Sequence, residues 1–246
     1  MAALADVLDL PVLNPLLERS GAERIVQWAA AEFGEQLIMS SSFGAESAVL
    51  IHMATRLVPR IRIIFIDTGY LFPETFAFME ELRRRFDLNV WTYRTRNDPF
   101  EYLKRAGEGE ASYRQNIESC CAANKNEPFE RAMRDIQPSA WLRGIRRNQS
   151  ETRQAVEAVE WSARYRCYAI SPLAGWTTRE TRQYMLEHDL PHHPLYEKGF
   201  LSVGCNPTSC TRPVQIGEDS RSGRWSASGK IECGINQVDS LDSARL

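Results

Sequence analysis

Ile61-Arg62-Ile63-Ile64-Phe65-Ile66-Asp67, running on into Thr68-Gly69-Tyr70-Leu71-Phe72 and Pro73, decides the fold of this chain. The first seven residues are β-branched and nearly all apolar, as a central parallel strand covered on both faces must be. Pro73 then stands where proline suits the first turn of a helix. That helix is expected to bury Phe76, Met79, Leu82 and Phe86 and to end in Arg83, Arg84 and Arg85, where the helix dipole favours cations.

Upstream, Gln36 to Ser41 reads as a short buried strand that passes through Ser42-Phe43-Gly44 into a helix from Ala45 to Arg56, with Val49, Leu50, Met53 and Leu57 on its apolar side. Downstream, Leu88 to Tyr93 gives a third strand. Alternating strands and helices predict the α/β class and a doubly wound parallel sheet. Ligands of such sheets bind beyond the carboxyl ends of the strands. The loop Ser41, Ser42 and Gly44 and the loop Asp67, Thr68 and Gly69 both fall at that edge. Small residues between a strand and a helix let an anion approach backbone N–H groups, although such loops also simply cap helices.

Further strands are expected at Ser139 to Gly144 and Arg166 to Ile170, and further helices around Pro99 to Arg105 and from a Thr177-to-Glu180 capping box to about His188. Ser20-Gly21-Ala22-Glu23 fits another capping box, opening a helix with Ile25, Val26, Trp28, Ala29 and Phe33 on one face and Gly34 at its end. Before it, residues 1–19 carry few cues, and Pro11 and Pro15 argue against a long helix. Residues 1–216 read as one α/β domain, and 217–246, polar and rich in Gly and Ser, as a mobile tail.

With 246 residues, 43% hydrophobic and 25% charged, the chain can bury a full core and has the composition of a globular protein. No apolar run approaches membrane-spanning length. A net charge of −2 argues against broad electrostatic binding to nucleic acid. Any anionic ligand must therefore meet local cations, and these cluster in the second half, at Arg143, Arg146, Arg147 and Arg153 and again at Arg212, Arg221, Arg224 and Lys230.

Six cysteines carry the remaining signal. The absence of an apolar secretory segment predicts a reducing, cytoplasmic setting, where metal or catalytic use is favoured over structural disulfides. Cys167, in an apolar run, reads as core. Cys120 and Cys121 stand among Glu118, Ser119, Asn124 and Lys125 and are expected to open a helix to about Arg134, whose N-terminus would favour thiolates, as would Lys125. With Cys205 and Cys210 they make four thiols that could hold an iron–sulfur cluster or a zinc ion. His192 and His193, side by side in a Pro-bounded loop, are left out of the site. Cys233 lies alone near the end of the polar tail, suited to enter a cleft, react and withdraw to a partner.

Cys120-Cys121, the cysteine pair before Thr211-Arg212-Pro213, Gly223-Arg224-Trp225 and Glu232-Cys233-Gly234 together resemble the assimilatory adenylyl-sulfate (APS) reductases. The run Asp67 to Thr75 resembles the related phosphoadenylyl-sulfate (PAPS) reductases, and the likeness covers roughly residues 36 to 236. It implies an adenine-nucleotide α-hydrolase-like fold and an enzyme of sulfate assimilation and cysteine biosynthesis. That enzyme reduces adenosine 5′-phosphosulfate to sulfite and AMP, with Cys233 as catalytic nucleophile and an S-sulfocysteine intermediate. It also implies a [4Fe-4S] cluster on Cys120, Cys121, Cys205 and Cys210, and thioredoxin or a glutaredoxin-like dithiol as electron donor. By motif match, Ser41, Ser42, Gly44, Asp67, Thr68, Gly69, Lys125, Arg153, Arg221, Arg224 and Asn236 would bind the nucleotide. The resemblance involves no nucleic acid or membrane partner and is compatible with a homo-oligomer.

Two positions depart from the family pattern. Four residues separate Cys205 from Cys210 where the family has Cys-x-x-Cys. The extra two either bulge out and keep the four-thiol set, or shift Cys210 away and leave a labile cluster, a zinc site or a disulfide pair. Asn236 stands where the family usually has His; it can donate a hydrogen bond to phosphate but carries no charge. Other readings are a PAPS reductase, a non-catalytic iron–sulfur sensor on the same fold, and an ATP pyrophosphatase. The last usually shows Ser-Gly-Gly-x-Asp-Ser, which Ser42 to Ser47 is not.

Overall fold

The computed structural model describes residues 8–97, 117–206, 210–215, 218–226, 228, 230, 232 and 234–236. Its centre is a six-stranded sheet of β1 (Leu37–Ser40), β2 (Arg62–Asp67), β3 (Asn89–Arg94), β4 (Ala140–Leu142), β5 (Val159–Ser162) and β6 (Cys167–Ile170). The strand order is β3-β2-β1-β4-β6-β5. Neighbours pair in parallel except β5 and β6, which are antiparallel. The expected doubly wound α/β sheet is therefore present, with one antiparallel edge strand added.

Side-chain alternation explains why both faces are covered. Leu37, Met39, Ile63, Phe65, Ala140, Leu142, Tyr168 and Ile170 enter one core, together with α2 (Ala22–Phe33), α3 (Ser47–Leu57) and α4 (Pro73–Phe86). Ile38, Ile64, Trp141, Cys167 and Ala169 point the other way, onto Phe129, Ala132 and Met133 of α5 (Glu127–Ile136). Cys167 is core, as expected; burial pushes its thiol up to about 12. The helix α6 (Thr178–Glu187) opens with the expected capping box: Glu180 N donates to Thr177 Oγ1 at 3.2 Å, and Thr177 N donates to Glu180 Oε2 at 2.7 Å.

Several local expectations are corrected. Residues 10–20, where two prolines argued against a long helix, form α1 (Leu10–Ser20). Pro11 sits in the first turn, where its missing N–H costs nothing, and Asp9 accepts a hydrogen bond from Val12 N at 3.3 Å. The Ser20 capping box does not form: α2 starts after Gly21 without a side-chain cap, and Ser20 Oγ donates to Leu17 O at 2.7 Å in the last turn of α1. Gly34 does end α2, its N–H bonded to Ala30 O. On α4 the buried residues are Thr75, Phe78 and Leu82, while Phe76, Met79 and Phe86 are only partly buried. The helix expected around Pro99 to Arg105 lies outside the described residues. No helix among the described residues is long and apolar enough to cross a membrane.

Two buried polar groups tie remote segments together. The Asn14 amide behaves as one more strand at the open edge of β5, donating to Val159 O at 3.0 Å and accepting from Val159 N at 2.9 Å. Removing it strands two buried backbone groups, each costing about 1–3 kcal/mol. Asn14→Ala is therefore expected to destabilise the fold by about 2–6 kcal/mol in denaturant titration. His193, fully buried, accepts from Leu195 N at its Nδ1 (3.1 Å), so its Nε2 carries the proton it shares with Thr75 Oγ1 (3.2 Å). Burial lowers its pKa to about 4, so the neutral ring is the folded form. Below the ordinary histidine value the unfolded chain binds the proton first, and stability falls with pH. Unfolding free energy should decline between about pH 6.5 and pH 4, and His193→Phe should flatten that part of the profile.

Candidate active site

The parallel strands deliver the loops after β1, β2 and β4 to one edge, and these wall a cleft of about 250 Å³. Its floor is the loop after β1. Ser41 Oγ accepts from Phe43 N at 3.0 Å, and Ser47 Oγ donates to Gly44 O at 2.9 Å. Phe43 adopts φ +47° with its ring fully buried, edge-on to Phe65 at 5.3 Å. Burying that ring holds the strained turn in place. Ser41, Ser42 and Gly44 all line the cleft, beside the start of α3.

The loop after β2 divides. Thr68 lines the cleft, whereas Asp67 and Gly69 are not part of its wall. The Asp67 carboxylate instead accepts from Gly69 N at 2.9 Å and pairs with Arg94 at 3.1 Å, so it shapes the turn. Beyond it, Leu71 forms an antiparallel bridge with Cys205, and Asn206 N donates to Tyr70 O at 2.6 Å. These contacts bring the distant cysteine segment to the cleft, where Thr68 Oγ1 lies 3.4 Å from Cys205 Sγ.

The other cysteine pair comes from a different element than expected. Residues 117–121 are already helical, so the helix begins before Cys120 and Cys121 rather than at them. A π-helical turn follows, Ala122–Asn126, before α5 begins. Such wide turns inside helices are frequent at functional sites. This one carries Lys125 to the cleft wall and buries Asn124, whose Nδ2 donates to Cys120 Sγ at 3.5 Å and whose Oδ1 accepts from Thr95 Oγ1 at 2.6 Å. Burial pushes the Cys121 thiol up to about 11 against the opposing pull of Lys125 and Lys230.

Cys120, Cys121, Cys205 and Cys210 are neighbours: Cys121 feels both Cys120 and Cys205, and Cys205 is hydrogen-bonded to Cys210. That bond lowers the Cys205 pKa, with Lys125, Thr68 and Arg224 acting in the same direction against burial. Among the described residues no three His, Cys, Asp or Glu side chains are set to hold a single metal ion.

The cations close the far side. Arg153 is buried, and its guanidinium grips the Glu232 carboxylate twice, Nε to Oε2 at 2.6 Å and Nη2 to Oε1 at 2.8 Å. Arg221 approaches the same carboxylate at 3.8 Å. Arg224 donates to Val203 O and Cys210 O at 3.1 and 3.2 Å and lies 4.5 Å over the Trp225 ring. Its guanidinium is pressed so closely on Gly204 that a Cβ there would stand 2.3 Å from Nη2. Lys125, Arg153, Arg221, Arg224 and Asn236 all line the cleft. Cys233 lies outside the described residues, between Glu232 and Gly234, which are docked on the domain. The described part of 217–246 packs against the body, with Trp225 buried.

The sequence reading missed Glu46, Gln149 and Asn124 and gave Arg146 no place in the site. The Arg146–Glu46 ion pair (2.6 Å) and Gln149 also line the cleft. Arg146 was noticed as part of a basic cluster, but nothing in the sequence tied Glu46 to it across a hundred residues.

The phosphoadenosine phosphosulfate reductase domain model matches residues 36–213. A phosphoadenosine 5′-phosphosulfate reductase of Synechococcus is 41% identical over 92% of this chain and 97% of its own length. An adenosine 5′-phosphosulfate reductase of Salinibacter ruber is 36% identical over 92% of this chain and 88% of its own. Among solved structures, the phosphate complex of a phosphoadenylyl-sulfate reductase from Candida auris superposes with a TM-score of 0.69 at 24% identity, over 81% of this chain and 96% of that one. Both the fold class and the family resemblance are thereby borne out. The chain belongs to the phosphoadenosine phosphosulfate reductase family, oxidoreductases that reduce a sulfate-activated adenine nucleotide in sulfate assimilation.

Proposed function

We propose that the chain reduces adenosine 5′-phosphosulfate to sulfite and AMP, with Cys233 as nucleophile and a thioredoxin-like dithiol as donor. The observation that carries this reading is a cleft that joins a Ser/Gly loop for the nucleotide to a ring of cations beside four thiols, with the segment flanking Cys233 docked onto it.

The substrate carries two anionic groups, and a thiolate must approach them. Lys125, Arg153, Arg221 and Arg224 offset that repulsion and stabilise charge as it develops on the leaving phosphate. The Cys233 thiolate attacks the sulfate sulfur; an S–S bond forms, the S–O bond to phosphate breaks, and AMP leaves with the electron pair. A donor thiolate then attacks Cys233 Sγ and releases sulfite, leaving a mixed disulfide. The donor's second thiol resolves it, so the dithiol supplies both electrons and Cys233 is regenerated.

Cys120, Cys121, Cys205 and Cys210 fit a [4Fe-4S] cluster by their chemistry: four neighbouring thiols with cations at hand. A cluster there would fix the charge state of the four sulfurs and brace the π-helical turn that bears Lys125. A second reading, reduction of the 3′-phosphorylated nucleotide, is favoured by the names of most relatives, Synechococcus and Xylella fastidiosa among them. The Tyr70-Leu71 loop, which resembles that branch, carries less weight because here it is occupied in anchoring Cys205 and Asn206.

Anaerobically purified protein is expected to release sulfite from adenosine 5′-phosphosulfate with reduced thioredoxin. Without donor, it should accumulate a sulfonate adduct on the Cys233 peptide, read by mass spectrometry. Faster turnover of the 3′-phosphorylated nucleotide would reverse the substrate assignment, and no adduct with either nucleotide would end the reading. Lys125→Ala should lower sulfite release by roughly a hundredfold, on the scale of one lost transition-state donor, while bound iron and sulfide stay unchanged. Full activity would remove Lys125 from the chemistry.

A further inference from the structure

We propose that Glu232 is a positioning residue that occupies the place of the substrate's anionic end on Arg153 and Arg221, and exchanges with it when the nucleotide binds. The inference rests on the reading of those two arginines as substrate ligands.

The geometry is that of an anion site already filled. Arg153 presents Nε and Nη2 as a fork, and both Glu232 oxygens take it. Such a fork accepts carboxylate, phosphate or sulfate oxygens alike. Its remaining nitrogen donates to Gln149 Oε1. Thr152 Oγ1 at 3.5 Å and Arg221 at 3.8 Å also face the carboxylate. Both side chains of the pair are 7% exposed. An anion that takes Arg153 would leave Glu232 buried without its strongest partner, a costly state, so the carboxylate must move to water.

A second tether survives that exchange. Arg164 Nη1 donates to Gly234 O at 2.9 Å, and the Gly234 backbone lies so close to Asn126 that a Cβ would stand 2.3 Å from Nδ2. The turn Gly234–Asn236 thus stays against the π-helical turn while Glu232 lets go. Substrate charge and the position of the residue next to the nucleophile are thereby coupled through one guanidinium.

The test is calorimetric titration of AMP and of adenosine onto the full chain and onto Glu232→Gln. Exchange predicts that AMP binds the variant about tenfold tighter, the value of one charge-assisted contact no longer contested, and that adenosine binding is unchanged. A purely structural role for Glu232 would weaken both. Equal or weaker AMP binding to a folded variant overturns the proposal. A second measurement needs no variant: amide exchange of peptides spanning 228–236 in sodium sulfate against sodium chloride at equal ionic strength. Sulfate should raise exchange there, and an unchanged pattern counts against the exchange. If neither chain binds AMP, the nucleotide reading falls, and the sulfate measurement alone decides the role of Glu232.

Discussion

A parallel sheet buried on both faces has one place to do chemistry, the edge where its strands end. Here that constraint is met side chain by side chain. Met39 and Phe65 face one core while Ile38 and Ile64 face the other, and both faces are covered by packed helices. Backbone that leaves β1, β2 and β4 must therefore turn in the same region. The small residues Ser41, Ser42 and Gly44 have space there because Phe43 alone supplies the anchoring bulk.

The second half of the chain is brought to that edge by backbone pairing. The bridge between Leu71 and Cys205 fixes one end of the cysteine segment, and the bridge between Thr211 and Arg224 fixes the other to the C-terminal stretch. Between them Arg224 sits 4.5 Å over the Trp225 ring and close against Gly204. A guanidinium already held by packing and by two backbone carbonyls loses little further freedom when it meets an anion, which makes it a good ligand for one. The same economy applies to Arg153, whose nitrogens are already directed at Gln149 and Glu232.

Much of this was legible from the chain alone, for stated physical reasons. The apolar runs of β1 and β2 announce a doubly covered sheet, and the small-residue loops after them mark its ligand edge. Thr177 and Glu180 announce α6 because a capping box is a local hydrogen-bond pattern. What stayed hidden depends on distant partners. β5 is four residues long, with Glu160 and Ser162 in it, and exists because β6 and Asn14 pair with its two sides. The helix α1 places Pro11 in its first turn and runs on through Pro15. Arg153 could be picked out as a candidate ligand, but not the fact that Glu232 already holds it, since seventy-nine residues separate the pair.

The wide turn at Ala122–Asn126 also sets an angle. One residue beyond the α-helical repeat rotates everything upstream by about 100° relative to everything downstream. Downstream, Phe129, Ala132 and Met133 are committed to the sheet. Upstream, the offset decides which compass bearing Cys120 and Cys121 take around the helix axis. One continuous rod thus serves two directions, packing along its later half and the placement of two thiols along its earlier half, and an uninterrupted α-helix of the same residues would swing the cysteines out of line with Cys205.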